Sequence, residues 1–315
     1  SLGLFSTGRS AKNARIVADI AESTIETVTD AESIGTFEST GEADLFDIEY
    51  WSLEQAKLGK GSEKPLARHV SVVTGGGSGI GAATARALAA EGSEVAVLDQ
   101  DEKAALAVAA EFGGLGLACD VTDSRAVRRA FDQVVKKYGG VDIVVSNAGA
   151  AWPGTIGEVP DKVLRDSFEL NFFAHQSVAQ NAVRVMVAQG TGGCLLFNTS
   201  KQAVNPSKDF GPYGLPKAAT MALMRQYALD YGHLGIKSNA VNADRIRSGL
   251  LTDDMVKARA RARGLSQSDY MSGNLLGREV TADDVAKVFV DLARSTKTTA
   301  AIVTVDGGNI AAALR

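Results

Sequence analysis

Tyr213 and Lys217 stand four residues apart in Tyr213-Gly-Leu-Pro-Lys217, and Ser200 lies 13 residues upstream of the tyrosine. A separation of four places both side chains on one face of a helix. A free phenol titrates near pH ~10 and shuttles protons poorly at neutral pH. A lysine ammonium held beside it favours phenolate and draws that pKa toward the working range. A serine hydroxyl can then hold the substrate oxygen that gains or loses the proton. Tyrosine and lysine are common on helix faces, so the pair takes its meaning from what accompanies it.

Upstream, Val70-Ser-Val-Val-Thr-Gly75-Gly-Gly77-Ser-Gly79-Ile-Gly81 runs into an alanine-rich segment ending at Ala90. The β-branched run predicts a buried strand, the glycines a tight turn, and the alanines a helix. In that setting backbone N–H groups and a helix N-terminus hold a pyrophosphate. A second strand, Glu94-Val-Ala-Val-Leu98, ends at Asp99, 18 residues past Gly81. A carboxylate there accepts both ribose hydroxyls of NAD and repels the extra phosphate of NADP. The bland alternative is a glycine-rich turn in some other α/β protein.

With these two motifs the chain resembles the short-chain dehydrogenase/reductase family. The family's TGxxxGxG turn matches 74–81, and its adenine-contacting pair matches Asp120-Val121. The segment after its fourth strand matches Asn147-Ala148-Gly149, and its water-organising helix asparagine matches Asn171. Its serine-bearing strand aligns without gaps onto Gly193-Cys-Leu-Leu-Phe-Asn-Thr-Ser200; a slip of one residue would select Lys201 but break the serine–tyrosine spacing. The resemblance implies an α/β fold, a Rossmann-type doubly wound parallel sheet of about seven strands, with NAD across the carboxyl ends of the strands. It implies catalysis by Ser200, Tyr213, Lys217 and Asn171. It also implies NAD contacts from Gly75, Ser78, Gly79, Ile80, Gly81, Asp99, Asp120, Val121, Asn147, Ala148 and Gly149. Tyr213 and Lys217 join these, and by register Ile246 and Ser248.

The chain departs from the family where Ala243-Asp244 replaces the usual Pro-Gly after the sixth strand. Arg245 and Arg247 follow, and either they face solvent and pair with carboxylates or one of them faces the cleft. An arginine fork suits a carboxylate, and Arg247 is the preferred candidate because it adjoins Ser248. Pro216 lacks an N–H, which is harmless only in the first turn of a helix, so that helix is expected to start near Tyr213. Leu250, Leu251, Met255 and Met271 are expected as apolar lining of the substrate side.

Across 315 residues, hydrophobic content is 45%, charged content 22% and net charge −4. That composition fits a globular protein and offers no nucleic-acid surface. No apolar run approaches the ~18–20 residues that span a bilayer, and no signal-peptide pattern opens the chain, so it reads as cytoplasmic. Cys119 and Cys194 fall in or beside strands and are expected to pack there rather than act as nucleophiles. His69, His175 and His233 share no metal-ligand spacing, and no metal is expected. His175, four residues after Asn171, is expected to serve helix packing.

Residues 1–65 lie outside the dehydrogenase pattern, which occupies 66–315. The pattern predicts a helical N-terminal extension: an amphipathic helix over 10–31, with Ile16, Ile20 and Val28 on its apolar face, a shorter one over 51–60, and a linker over 59–65. Such short helices cannot bury an apolar face alone. The segment resembles the tail of the class II aldolase domain in fused rhamnulose-1-phosphate aldolase/lactaldehyde dehydrogenase proteins. Segments 198–206, 211–217 and 242–248 resemble the dehydrogenase part of the same proteins. That resemblance implies oxidation of lactaldehyde, as its hydrate, to lactate within rhamnose-type sugar degradation. It also implies a homo-oligomer, dimer or tetramer, and an upstream aldolase domain as partner. The absence of an initiator methionine is consistent with a chain trimmed from something longer, and the lack of histidine in 1–65 argues against aldolase activity here. The alternatives are an NAD-dependent dehydrogenase of a small polyol or sugar, and a catalytically silent NAD-binding interaction module. The intact set Ser200, Tyr213, Lys217 and Asn171 argues against silence.

Overall fold

A computed structural model describes residues 3–57, 63–249 and 251–309. The chain divides into two compact units, 1–68 and 69–315. In the first, helix α1 runs Ala11–Ile34, capped by Ser10, whose hydroxyl accepts from the Asn13 N–H at 3.2 Å. It extends three residues past the expected end at 31. Helix α3, Ser52–Lys57, covers part of the second expected helix; the rest of that helix and most of the linker, 58–62, lie outside the described residues. Between them α2, Glu42–Glu49, was not anticipated. It starts after Gly41 with Glu42 and Asp44 in its first turn, where carboxylates favour the helix dipole. Ile20, Ile25, Phe46 and Trp51 are all more than half exposed.

The second unit is built on a seven-stranded parallel sheet in the order β3-β2-β1-β4-β5-β6-β7. Strand β1, Val70–Thr74, is buried along its whole length, as a β-branched strand covered on both faces must be. The chain continues through α4 (Gly79–Ala90), β2 (Glu94–Asp99), α5 (Glu102–Ala110), β3 (Leu115–Ala118), α6 (Ser124–Tyr138) and β4 (Ile143–Ser146). It then passes α7 (Asp161–Phe168), a π-helical turn (Glu169–Phe173), α8 (Ala174–Gln189), β5 (Gly193–Ser200), α9 (Gly211–Tyr231) and β6 (Ile236–Ala243). Helices α10 (Asp253–Arg261), α11 (Gln267–Met271) and α12 (Ala282–Arg294) precede β7 (Ile302–Val305). Val72, Leu98, Phe131, Val144, Leu195 and Phe197 belong to one continuous core. The strand order reverses between β1 and β4, and ligands of open α/β sheets bind beyond the carboxyl ends of strands at such a switch point.

Candidate active site

The turn after β1 folds only with glycine at its tightest positions. Gly75 sits at φ +60°, and a Cβ there would come within 2.9 Å of Ala148 Cα; at Gly81 it would lie 2.1 Å from the Gly75 carbonyl oxygen. The segment after β4 is pinned against this turn. Thr74 Oγ1 accepts from the N–H groups of Asn147 (3.0 Å) and Ala148 (3.2 Å), and Asn147 Nδ2 donates to the Thr74 carbonyl at 3.0 Å. Asp99, at the end of β2, accepts from the Gly77 N–H at 2.9 Å and the Asp101 N–H at 3.0 Å. No basic residue stands in the turn 75–81 to offset that carboxylate.

Around these residues opens a cleft of about 480 Å³. Gly75, Ser78, Gly79, Ile80, Asp99, Asp120, Val121, Asn147, Ala148, Gly149 and Ser248 line it. Gly81 lies buried in α4 beneath the turn, where its missing side chain serves packing. A second cleft of about 560 Å³ shares Ile80, Ala151, Asn198 and Ser248 with the first, and is lined also by Ser200, Tyr213, Arg245, Ile246 and Leu251. A cradle shaped by glycines, a carboxylate at the end of β2 and an adjoining polar cleft together fit a dinucleotide with a substrate beside it.

Tyr213 lies in the first turn of α9 and Lys217 in the second, both buried. Burial pushes the Tyr213 phenol up to about 12, against a hydrogen bond with Ser200 that pulls it down. Burial likewise draws the Lys217 ammonium down to about 7. In the chain alone, burial therefore outweighs the expected stabilisation of phenolate by lysine; Nζ is 5.9 Å from the tyrosine ring centre. Lys217 donates to the Asn198 carbonyl at 3.0 Å. Pro216 was expected in the first turn. The helix begins at Gly211, so the proline sits in the second turn and leaves the Pro212 carbonyl without its usual N–H partner.

Asn171 occupies the π-helical turn, a local widening frequent at functional sites. Its Nδ2 donates to the Ala150 carbonyl at 2.8 Å, its carbonyl accepts from Thr220 Oγ1 at 2.7 Å, and its buried Oδ1 has no hydrogen-bond partner among the described residues. A Cβ on Gly149 would lie 2.8 Å from that Oδ1 and 3.2 Å from Lys217 Nζ, so both atoms sit directly beneath Gly149. Asn171 and Lys217 thus lie buried under Gly149, and Ser200 and Tyr213 line the neighbouring cleft.

Arg247 does not line the cleft. Its guanidinium is held by Glu279 at 2.6 Å and by Asp253, two carboxylates that outcompete an open cleft for the charge. Arg245 does line it: its backbone is left-handed (φ +51°), Nη1 donates to the Tyr270 carbonyl at 2.8 Å, and the guanidinium stacks 4.8 Å above the Tyr270 ring. Arg259 and Arg263, which no motif singles out, line the same cleft and lie over Phe210 (5.1 Å) and Tyr270 (5.4 Å). Their spacing of four on and just beyond α10 was the available signal. Of the apolar lining expected, Leu251 reaches the second cleft and Met255 the first. Met271 is buried in a small cluster with Val256, and Leu250 lies outside the described residues. Both cysteines are buried, their thiols pushed up to about 11 mainly by that burial, which suits packing rather than nucleophilic work. His175 does more than pack: its ring lies between Ser146 and Lys217.

Residues 75–309 match a protein family described as enoyl-(acyl carrier protein) reductase, and residues 1–58 match the second domain of class II aldolases. An uncharacterized oxidoreductase of Bacillus subtilis, YuxG, is 31% identical across 100% of this chain and 48% of its own length, so the chain spans about half of that relative. The (+)-borneol dehydrogenase 1 of Salvia officinalis is 34% identical over 73% of this chain and 88% of its own. Among solved structures, a 3-ketoacyl-(acyl-carrier-protein) reductase from Brucella melitensis complexed with NADH is 25% identical. It superposes with a TM-score of 0.69 over 76% of this chain and 98% of that one.

Proposed function

The chain belongs to the short-chain dehydrogenase/reductase family, and from that premise we propose that it is an NAD-dependent oxidoreductase of a small hydroxyaldehyde, with lactaldehyde oxidised to lactate. The observation that carries the chemistry is the convergence of Ser200 and Tyr213 on one cleft wall, with Lys217 and Asn171 packed under Gly149, which lines the adjoining cleft. NAD, when bound, supplies hydride acceptance. Gly75, Ser78, Gly79 and Ile80 would hold its pyrophosphate, Asp99 its ribose hydroxyls, Asp120 and Val121 its adenine end, and Ile246 and Ser248 its amide. Asp99 would select NAD over NADP, since a 2′-phosphate would meet a carboxylate. Ser200 orients the hydroxyl of the aldehyde hydrate, and Tyr213 takes its proton as hydride leaves the same carbon. Lys217 supplies positive charge to the phenolate and holds ribose, and Asn171 completes the path by which the proton leaves.

Residues 66–315 form the dinucleotide-binding domain in this reading, and 1–65 a helical extension that ends an aldolase-type domain. The match of 1–58 to such a domain and the twofold length of YuxG support an upstream aldolase partner that releases the aldehyde. The protein is read as a cytoplasmic homo-oligomer; among the described residues no helix is long and apolar enough to cross a membrane. A second reading, a dehydrogenase of a small polyol or sugar, draws support from a cleft of about 560 Å³ whose lining includes Gln202, Asn205 and Arg259. Reduction of NAD by lactaldehyde, compared with a panel of polyols and with NADP, tests the assignment. Rates with polyols that exceed the lactaldehyde rate favour the second reading.

A further inference from the structure

His175 is 1% exposed and is the second residue of α8, which continues from the π-helical turn that carries Asn171. Its Nδ1 lies 2.6 Å from Ser146 Oγ, and its Nε2 lies 3.3 Å from Lys217 Nζ. A neutral imidazole offers one donor and one acceptor, whereas an ammonium only donates. Lys217 already gives one N–H to the Asn198 carbonyl. For the ammonium to give a second to His175, Nε2 must be bare, so Nδ1 carries the hydrogen and donates to Ser146.

We propose that His175 is a positioning residue for Lys217: Ser146 fixes it as the Nδ1–H tautomer, and its Nε2 accepts from the ammonium, aiming Nζ and keeping it charged beside Tyr213. The proposal rests on the reading of Tyr213 and Lys217 as the acid–base pair. A buried ammonium needs acceptors. A carboxylate would satisfy it but would cancel its charge, and a cancelled charge does nothing for a phenolate. A neutral imidazole and a carbonyl satisfy two N–H groups without cancelling the charge, and leave the third N–H for a ligand.

The surroundings agree with a permanently neutral ring. Against His175, α9 presents Lys217, β4 the Ser146 hydroxyl, and β5 the Phe197 ring at 6.3 Å between centres. Burial, then the Lys217 charge, holds the imidazole well below its ordinary range, so it stays an acceptor through neutral pH. Against Lys217 stand His175, the Asn198 carbonyl and the Tyr213 ring.

Two measurements test this. The chain has three histidines, so ring-nitrogen NMR of the cofactor-free protein resolves His175 after comparison with a His175→Gln sample. The expected spectrum shows a protonated Nδ1, a bare hydrogen-bonded Nε2 and no titration through neutral pH, and Lys217→Met removes the shift at Nε2. In kinetics with the active substrate of the lactaldehyde and polyol comparison, His175→Leu is expected to lower kcat at neutral pH about tenfold or more. The rising limb of its pH–rate profile should move to higher pH, because a phenol without a charged lysine beside it loses its proton later. His175→Gln, whose amide oxygen can accept from Nζ, should return the limb to its wild-type position. An Nε2–H tautomer in the wild type overturns the proposal. So does an unmoved limb in His175→Leu, or equal losses in the leucine and glutamine variants. If the leucine variant does not fold, the tautomer and the glutamine profile decide. Full activity in Tyr213→Phe would instead refute the underlying site reading.

Discussion

Replacing Lys217 with methionine is expected to change stability in a pH-dependent way that follows from burial alone. The side chain is 2% exposed, and burial draws its ammonium from an ordinary 10.5 to about 7. The folded pKa is therefore the lower one, and the unfolded chain binds the proton more tightly. The native state pays a penalty that is absent above about pH 11, grows as pH falls below the unfolded value and is complete below the folded one. A depression of this size corresponds to about 4 kcal/mol at pH 7 and about 2 kcal/mol at pH 9. Methionine has no such penalty but forfeits the hydrogen bonds to Asn198 and His175, a loss of about 1–3 kcal/mol in total. The absolute difference between the two proteins mixes these effects; its change with pH isolates the first. Urea unfolding of cofactor-free protein should show the wild type gaining about 2 kcal/mol on Lys217→Met between pH 7 and pH 9. A difference that stays constant over that interval would refute a lysine buried at the cost described.

Asp99→Ala is expected to narrow the preference for NAD over NADP, mainly by weakening NAD, because two ribose hydrogen bonds to a carboxylate are lost; equal wild-type efficiency with both cofactors removes the assignment. Arg245→Met is expected to weaken inhibition by lactate more than it weakens NAD binding, while Arg247→Met changes kinetics little and stability by about 1 kcal/mol or less, as surface ion pairs do. Competitive inhibition by lactate in the two variants checks this, and a larger effect at Arg247 reverses the placement. Deleting residues 1–60 is expected to alter the oligomer or the solubility, since Ile20, Ile25, Phe46 and Trp51 are exposed. An unchanged solution mass and melting temperature would make the segment a passive tail.

The sheet and the glycine turn were legible because each is written in consecutive residues: Val70 to Thr74 in a β-branched run, Gly75 and Gly81 where side chains collide. The face shared by Tyr213 and Lys217 was legible from helical spacing. What could not be read depends on partners distant in the chain. Arg247 adjoins Ser248 in sequence, but Glu279, 32 residues on, helps decide where its guanidinium goes. Arg259 and Arg263 share a helical face by their spacing of four, but that they lie over Phe210 and Tyr270 and line the cleft depends on residues distant in the chain. His175 meets Lys217 across 42 residues, although its spacing of four from Asn171 placed it on the telling face. The π-helical turn and the second-turn position of Pro216 are backbone outcomes of packing rather than of propensity, whereas the exposed helix α2 rests on local signals too short to stand out.

In the function proposed, Tyr213 moves the proton in an NAD-dependent oxidation. That role is tested most directly by NADH formation in Tyr213→Phe beside the wild type, with NAD binding measured on both. The phenol is buried and joined to Ser200, and its loss removes a positioned acid–base group worth ~10²–10⁴-fold. The expected result is a fall in kcat of that order with NAD still bound. Near-normal turnover in the variant would contradict it.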